Sequence, residues 1–441
     1  MPMKLKFLFR ASNKIKTKPS LNFLVMVKRL ADPEVDENVE DIDSDFSDDD
    51  GASSVSDTGS VEETAQGKRL RLAKQYLDKL ENEQLKSEND TEINRDLIAH
   101  RLQQDVLAEK GKLETRVGKR LCVLENKFTL KGHRLSPTCL AITDTHLFSG
   151  SKDGAIIKWD LSTGKKLSVV KHDSKKQILA LAASSDNVYL ASGGQDKIIV
   201  LWDIESMTFV KCFRKHRGPI TALTFQRNSH LLMSGSADRS VNLWNCDDKL
   251  YIESLYGHQD MVADMDSFLQ ERVVTVGGHD KTLRLWKIQE ESQLVFNGHK
   301  NTVLDCVSML NEEHFVTGSQ DNVLAVWHIK KKKPAITQLQ AHAKGSWVSA
   351  VAGLKNTECF ISGSNGGNVK VWACAENYRS MECIRSIEII GTVNSIVISH
   401  DNSCFALAVG QEPKMGRWWS DKAARNRVLV FPMAIEDEVN R

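Results

Sequence analysis

No two of the nine cysteines are spaced as CxxC. Cys139, Cys306 and Cys404 lie among hydrophobic neighbours instead, which suits buried thiols in a reducing compartment and argues against a disulfide framework or a zinc site. No apolar run approaches the roughly eighteen residues that a membrane-spanning helix needs, so no such helix and no membrane partner are expected. A phosphate-cradling glycine loop, an HExxH pair and metal-ligand spacings are also missing, so neither metal, cofactor nor small-molecule substrate is expected. Charge of one sign is absent from two adjacent blocks. Residues 1–30 hold eight Lys or Arg and no acid, whereas residues 31–66 hold fourteen Asp or Glu and no Lys or Arg. The formal net charge of +1 conceals this segregation, which marks tails rather than packed structure.

Residues 1–61 therefore read as a disordered tail, first basic and then acidic, with few large apolar side chains in the acidic part to bury. The opening MKLKFLFRASNKIKTKPS is basic and acid-free but has only one Arg before Met26; a disordered extension or an upstream start is expected rather than an import signal. Residues 62–120 carry helical spacing instead. Leu70, Ala73, Leu77 and Leu80 share one helix face, and Ile93, Leu97, Leu102 and Val106 share another, with Asp90 or Thr91 as N-cap. The expectation is a short α-helical arm. It is either a hairpin packed on the main domain or a docking arm for a partner.

From residue 121 the chain repeats itself. Tryptophans at 159, 202, 244, 286, 327 and 372 are 43, 42, 42, 41 and 45 residues apart. Six residues before each of the first five stands Asp153, Asp196, Asp238, Asp280 or Asp321, and 20 to 24 residues before each Asp stands His133, His172, His216, His258 or His299. Between them runs an alternating stretch ending in "FSGSKDG", "ASGGQD", "MSGSAD", "TVGGHD" or "VTGSQD". A period of 40–45 residues between glycine-histidine and tryptophan-aspartate is the pattern of a WD40 blade. A sixth unit keeps His342, Ser362 and Trp372 but has Gly366 where Asp belongs. A seventh begins at "SIVISHDNSCFALAVGQE". Each unit reads as four antiparallel strands, and closing the ring removes the exposed edges. The orphan strand in "LCVLENKFTLKGH" is available to complete the last blade. The reading is an all-β, seven-bladed propeller over 121–433, followed by a C-terminal tail at 434–441.

A histidine, a hydroxyl and an aspartate recur in almost every unit and imitate a hydrolase triad. The sets are His133, Ser149 and Asp153; His172, Ser192 and Asp196; His216, Ser234 and Asp238; and His299, Thr317 and Asp321. Catalysis needs one site with an oxyanion hole, not four equivalent sets. The repeated sets read as buried hydrogen-bond chains, each ending on the indole N–H of Trp159, Trp202, Trp244 or Trp327. Unit four is expected to break its chain at Val276, and unit six at Gly366. No enzyme is expected.

The seventh unit admits two registers. Trp418 lies six residues after Glu412, but "RNRVLVFP" has the better β alternation, with Phe431 in the tryptophan slot. The second register is preferred, because Pro413, Gly416 and several charges make a poor interior strand. Residues 413–426 then form an insertion displayed at one rim of the ring. Its Arg417, Trp418, Trp419, Lys422 and Arg425, with adjacent Arg427, suit phosphates and unpaired bases of RNA. Alternatively one Trp packs into the blade and the cations are solvated. Arg239 and Lys281, like Lys197, follow the hairpin Asp of their blades, and Arg134, Arg217 and Lys300 border the glycine-histidine turns of the same face. The run "KKKK" at 330–333 falls at the opposite rim, solvated or part of a nuclear-import signal.

"EETAQGKRLRLAKQYLDKL", "EESQLVFNGH" and "GQEPKMGRWWSDKAARN", on this ring behind an acidic tail, resemble the family of U3 small nucleolar RNA-interacting WD40 proteins over about residues 62–433. The resemblance implies a non-enzymatic RNA-binding scaffold subunit of the U3 small nucleolar ribonucleoprotein, located in the nucleus and nucleolus. It implies recognition of the box B/C element of U3 RNA beside a small kink-turn-binding protein, with other small-subunit processome proteins as partners. The implied role is early pre-ribosomal RNA processing in small-subunit ribosome biogenesis. On this chain the matching motif covers Gly416, Arg417, Trp418, Trp419, Ala424, Arg425 and Asn426. The rival is a protein-only WD40 adaptor, either a ubiquitin-ligase substrate receptor or a chromatin peptide reader, which leaves the basic-aromatic insertion unexplained.

Overall fold

The computed structural model describes Arg71, Gly111 and residues 101–107, 115–118, 120–172, 174–298, 302–416 and 419–435. The acidic tail and most of the expected arm lie outside them. Of the arm, residues 101–107 are helical, with Leu102 and Val106 half-buried.

Six four-stranded antiparallel sheets and one five-stranded sheet make seven blades. Their innermost strands are Pro137–Ile142, Ile178–Ala183, Ile220–Phe225, Val262–Ser267, Leu304–Met309, Val348–Gly353 and Thr392–Ile398. Each touches the next, and Thr392–Ile398 touches Pro137–Ile142, so the ring is closed. Burial follows position in the blade. The second strand of blade three, Leu231–Ser236, and the third, Ser240–Asn245, are almost wholly buried, while the outer strand Leu250–Tyr256 is half-exposed. The middle strands are apolar on both faces because a neighbouring blade covers each face.

In blades two and six, close approach of the next blade demands glycine after the buried hydroxyl. A Cβ at Gly193 would lie 2.7 Å from Ile220 Cγ2 in the next blade, and one at Gly363 would lie 2.7 Å from Val393 Cγ1.

The last blade closes as the preferred register requires. Cys404–Gly410 pairs with Arg427–Ile435, and Phe405 faces Phe431 as Leu232 faces Trp244 in blade three. The ring planes of Phe405 and Phe431 are 5.1 Å apart by centroid and nearly parallel. In the slot of the buried hydroxyl stands Leu407, opposite Leu429. Phe has no N–H to satisfy, so an apolar partner leaves nothing orphaned. The outer layer comes from the start of the domain: Phe128–Leu130 pairs with 428–430, and Leu121–Val123 with 433–435.

Before that clasp the chain is fastened to the face formed by the loops between first and second strands. The Glu358 carboxylate accepts the backbone N–H groups of Val117 and Gly118 at 3.2 and 2.8 Å, and Thr115 N donates to Asn356 O at 2.8 Å. Gly111 O accepts from Glu312 N at 3.1 Å. The segment next to the helical stretch is thus tied to blades five and six.

Candidate nucleic-acid interface

The hairpins between second and third strands all open on one face of the ring. Those of the first six blades turn through a left-handed residue directly after the aspartate slot: Gly154 at φ 75°, Asn322 at 61° and Gly367 at 78° in blades one, five and six. In blades two, three and four that position holds Lys197 (67°), Arg239 (71°) and Lys281 (59°). A side chain with a Cβ is disfavoured there, so three cations occupy the position where glycine would be easier. Lys197, Arg239, Arg134 and Arg217 are exposed and Lys281 is half-buried. Lys300 lies outside the described residues.

The insertion of blade seven rises from the same face, and it is tightly fastened at its base. Asn426 Oδ1 accepts from Gln411 N at 3.0 Å and Ser136 Oγ at 3.1 Å. Gln411 Nε2 donates to Ala424 O at 2.8 Å, and Asp421 N donates to Gln411 O at 2.9 Å. Ala424 is 1% exposed, and a Cβ on Gly391 would meet its methyl at 2.9 Å. Gly416 takes φ 88°. Of the motif residues, Gly416, Ala424 and Asn426 therefore shape the loop, whereas Trp419 is 41% exposed and Lys422 and Arg425 are exposed. Arg417 and Trp418 lie outside the described residues. Arg427 departs from the expected display. It is the first residue of the third strand, opposite Val409, half-buried with its Nε enclosed.

Sequence reasoning missed Lys152, Lys414 and Asn394. Lys152, with a side chain 0% exposed, reaches Glu412 Oε2 at 3.0 Å and Gly416 O at 2.8 Å. Asn394 Nδ2 donates to Pro137 O and Glu412 O. Lys414 Nζ donates to Thr221 O at 3.2 Å, on the innermost strand of blade three across the channel. Lys152 occupies a hairpin position held by Gln195, Ala237, Gln320 and Asn365 in other blades, so no repeat signal marks it.

Beneath the insertion the central channel forms a cavity of about 760 Å³. Asp264 and Asp305 project into it, and burial raises each carboxyl to about 6, opposed by the Lys414 ammonium among other groups. A hydrogen bond from Gln320 and the charge of His279 also hold Asp305 down.

The recurring polar sets sit inside the blades. Trp244 Nε1 donates to Ser234 Oγ at 2.9 Å, which lies 2.8 Å from His216 Nε2, and His216 Nδ1 lies 3.0 Å from Asp238. Burial works against the Asp238 carboxylate, but bonds from His216, Ser240 and the Arg217 N–H outweigh it and hold its pKa well below the usual range. Blade two joins Trp202 to Ser192 at 2.8 Å and His172 to Asp196 at 3.0 Å. Blade one joins Trp159 and His133 to Ser149, but its His133 to Asp153 distance is 3.9 Å. Trp327 donates to Thr317 at 2.9 Å; Asp321 is exposed, and His299 lies outside the described residues.

The expected break in blade four does not occur. Thr275, not Val276, takes the hydroxyl slot opposite Arg284, two residues before Trp286, as Ser234 lies opposite Asn242. One extra residue between Thr275 and Asp280 lengthens the hairpin and shifts the motif by one. The chain in blade six is cut only at its end: His342 Nε2 and Trp372 both reach Ser362 at 2.8 Å, and His342 Nδ1 has no partner. Ser149, Ser192 and Ser234 are 0% exposed and already accept an indole N–H, so no substrate carbonyl reaches them.

Known proteins agree with this architecture. The WD domain, G-beta repeat family matches residues 124–160, 164–203, 207–245, 250–287, 290–328 and 333–373. The chain is 44% identical over 394 residues to U3 small nucleolar RNA-interacting protein 2 of Mus musculus, covering 84% of this chain and 83% of that protein. The Homo sapiens protein of the same name is 42% identical, with 85% and 83% covered. A solved structure described as U3-55K superposes with a TM-score of 0.66 at 40% identity, covering 73% of this chain and 99% of that one. A crystal structure of RRP9 WD40 repeats gives 0.67 at 40% identity, with 73% and 100% covered. The chain belongs to the WD40-repeat family of the U3 small nucleolar RNA-interacting proteins.

Proposed function

We propose that this chain is a non-enzymatic RNA-binding scaffold of the U3 small nucleolar ribonucleoprotein. On this reading it grips the box B/C element of U3 RNA beside a kink-turn-binding protein, in the nucleolus, during early pre-ribosomal RNA processing. The observation that carries the reading is the insertion of blade seven. It presents Trp419, Lys422 and Arg425 to solvent from a fastened base, on the face where Arg239 and Lys281 occupy left-handed turn positions. Arg417 and Trp418 complete the same stretch of sequence. Exposed rings stack on unpaired bases, and guanidinium and ammonium groups meet phosphate. Arg427, half-buried in the strand with its Nε enclosed, is left out of this surface. The Lys330–Lys333 run, exposed on the opposite face, is left for nuclear import.

The test is a titration of a box B/C RNA, with the kink-turn protein already bound, against the full chain. Binding that weakens with salt and is lost on replacing Trp419, Lys422 and Arg425 supports the reading. Equal affinity for an unrelated hairpin, or partner proteins that all survive ribonuclease in a pulldown, moves the chain to the protein-only adaptors.

A further inference from the structure

Among the described residues the insertion has no strand pairing of its own between Gly410 and Arg427, yet Lys152 of the neighbouring blade grips it and its own Lys414 reaches across the ring. We propose that Lys414 and Lys152 are positioning residues of the nucleic-acid-binding loop, Lys414 acting as a latch seated in the acidic well of the central channel. The role in RNA binding rests on the reading above; the latch itself does not.

The geometry has three parts. Lys152, from the hairpin of blade one, is buried and gives its ammonium to the Glu412 carboxylate and the Gly416 carbonyl, gripping the rising limb of the loop at both ends. Asn394 and Ser136 hold the backbone of Glu412 from blade seven and from the turn before blade one. Between those grips Pro413, Lys414 and Met415 line the mouth of the channel cavity. Lys414 extends to the far side, where Thr221 O accepts from it at 3.2 Å. A lysine reaching from the seventh blade to the third is not explained by the fold, because the strands of blade seven already pair without it.

The well is built to receive a cation. Asp264 takes the Val307 N–H at 3.0 Å, and Asp305 takes Gln320 Nε2 at 3.0 Å; neither carboxylate forms an ion pair within 4.0 Å among the described residues. Asp266, deeper in the channel, is instead paired with Lys355 at 2.7 Å. The other basic side chain near Asp305 is His279, which is exposed and bonded to Asp260. Lys414, bonded to Thr221 O beyond ion-pair distance of both carboxylates, is the ammonium at this mouth whose charge acts on the two of them. An ammonium at a low-dielectric mouth, facing two carboxylates, is held more strongly than the same contact at the surface.

The latch has a pH sign. Lys414 lowers both carboxyl pKa values, which burial has brought to about 6. Seating Lys414 thus releases protons, and by linkage the latch strengthens as pH rises through about 6 and loosens below it. Lys355, His279, Asp260 and Asp266 are the other charged groups bordering this well, and Cys139 and Cys306 are thiols whose pKa burial raises, so they stay neutral.

The test uses hydrogen exchange on the full chain without RNA. Lys414→Met should speed exchange in residues 411–416 and 419–426 about tenfold, the loss of one charge-assisted hydrogen bond. Asp264→Asn with Asp305→Asn should do the same, and Lys414→Arg should restore protection. Exchange in Arg427–Ile435 should stay unchanged, which separates a loosened loop from an unfolded blade. Wild-type protection, corrected for intrinsic rates, should fall toward that of Lys414→Met between pH 7.5 and 5.5. An unchanged loop in Lys414→Met overturns the latch. In a parallel box B/C titration, Lys414→Met should lower affinity about three- to tenfold with its salt slope unchanged, since the ammonium faces the channel and not phosphate. A slope reduced by about one ion means direct phosphate contact and overturns the positioning role. A faster-exchanging loop with undiminished RNA affinity upholds the latch and removes the loop from RNA recognition.

Discussion

Trp286 Nε1 donates to Thr275 Oγ1 at 2.8 Å, and the same hydroxyl lies 2.8 Å from His258 Nε2. His258 Nδ1 in turn lies 2.7 Å from Asp280, so one threonine oxygen joins the indole to the imidazole and, through it, to the carboxylate. Bonds from His258 and from Thr282 outweigh burial and hold the Asp280 carboxyl at about 2. Thr275→Val keeps the shape and removes the oxygen, orphaning an indole and an imidazole together. The expected loss is about 2–4 kcal/mol by denaturant unfolding. Blade seven shows how the loss is relieved, with Leu407 and Phe431 in the equivalent slots. Adding Trp286→Phe to Thr275→Val should therefore destabilise by less than the sum of the two single changes.

The left-handed turn cations set stability against binding. At φ 71°, Arg239 holds a conformation that glycine accepts without steric penalty. Arg239→Gly should raise folding stability by about 0.5–1 kcal/mol while weakening RNA. Lys281→Gly should act the same way. A variant that gains stability and binds RNA with undiminished affinity would show that these cations are only solvated turn tips.

The repeat made the blades legible because each blade tryptophan donates its N–H to a hydroxyl on the paired neighbouring strand, and that geometry recurs with the period. It failed at Thr275, where one inserted residue moves the slot without altering composition. The register of blade seven was legible from the β pattern of "RNRVLVFP", whose apolar run VLVF suits a strand covered on both faces. The loop's anchors were not. Lys152 meets Glu412 across 260 positions, and Lys414 meets Thr221 across 193, contacts that exist only once the ring closes. A basic stretch reads the same whether its lysines face solvent or the channel, so the sequence could not separate Lys414 from Lys422.

Three histidines should give the stability curve opposing slopes. Burial depresses His133 and His342 to about 4, with Asp153 and Ser149 opposing in the first case. Their contribution is complete above the unfolded value near 6.5 and is lost as pH falls toward 4. His230 bridges Asp186 and Asp247, and those bonds raise its pKa against the pull of burial. Its contribution is complete below about 6.5 and is lost as pH rises through the raised folded value. The melting-temperature gap between wild type and His230→Asn should therefore narrow from pH 6 to pH 8.5, while the gap to His342→Gln should widen from pH 4 to pH 6.5.

The cations and the ring of the insertion should fail in different ways if they touch RNA. Lys422→Ala or Arg425→Ala removes a phosphate contact, so affinity should drop and the salt dependence flatten by about one ion per contact. Trp419→Ala removes stacking worth about 1–3 kcal/mol and should leave the salt slope nearly unchanged. All three side chains are exposed, so none of the changes should move the melting temperature by more than about a degree or two. Ala424→Leu makes the contrasting case. Its methyl is enclosed against Gly391, and a larger side chain must push the loop off the ring, losing affinity with no change in charge. The three exposed variants binding a box B/C RNA as tightly as wild type, with the kink-turn protein present, would remove the insertion from the interface.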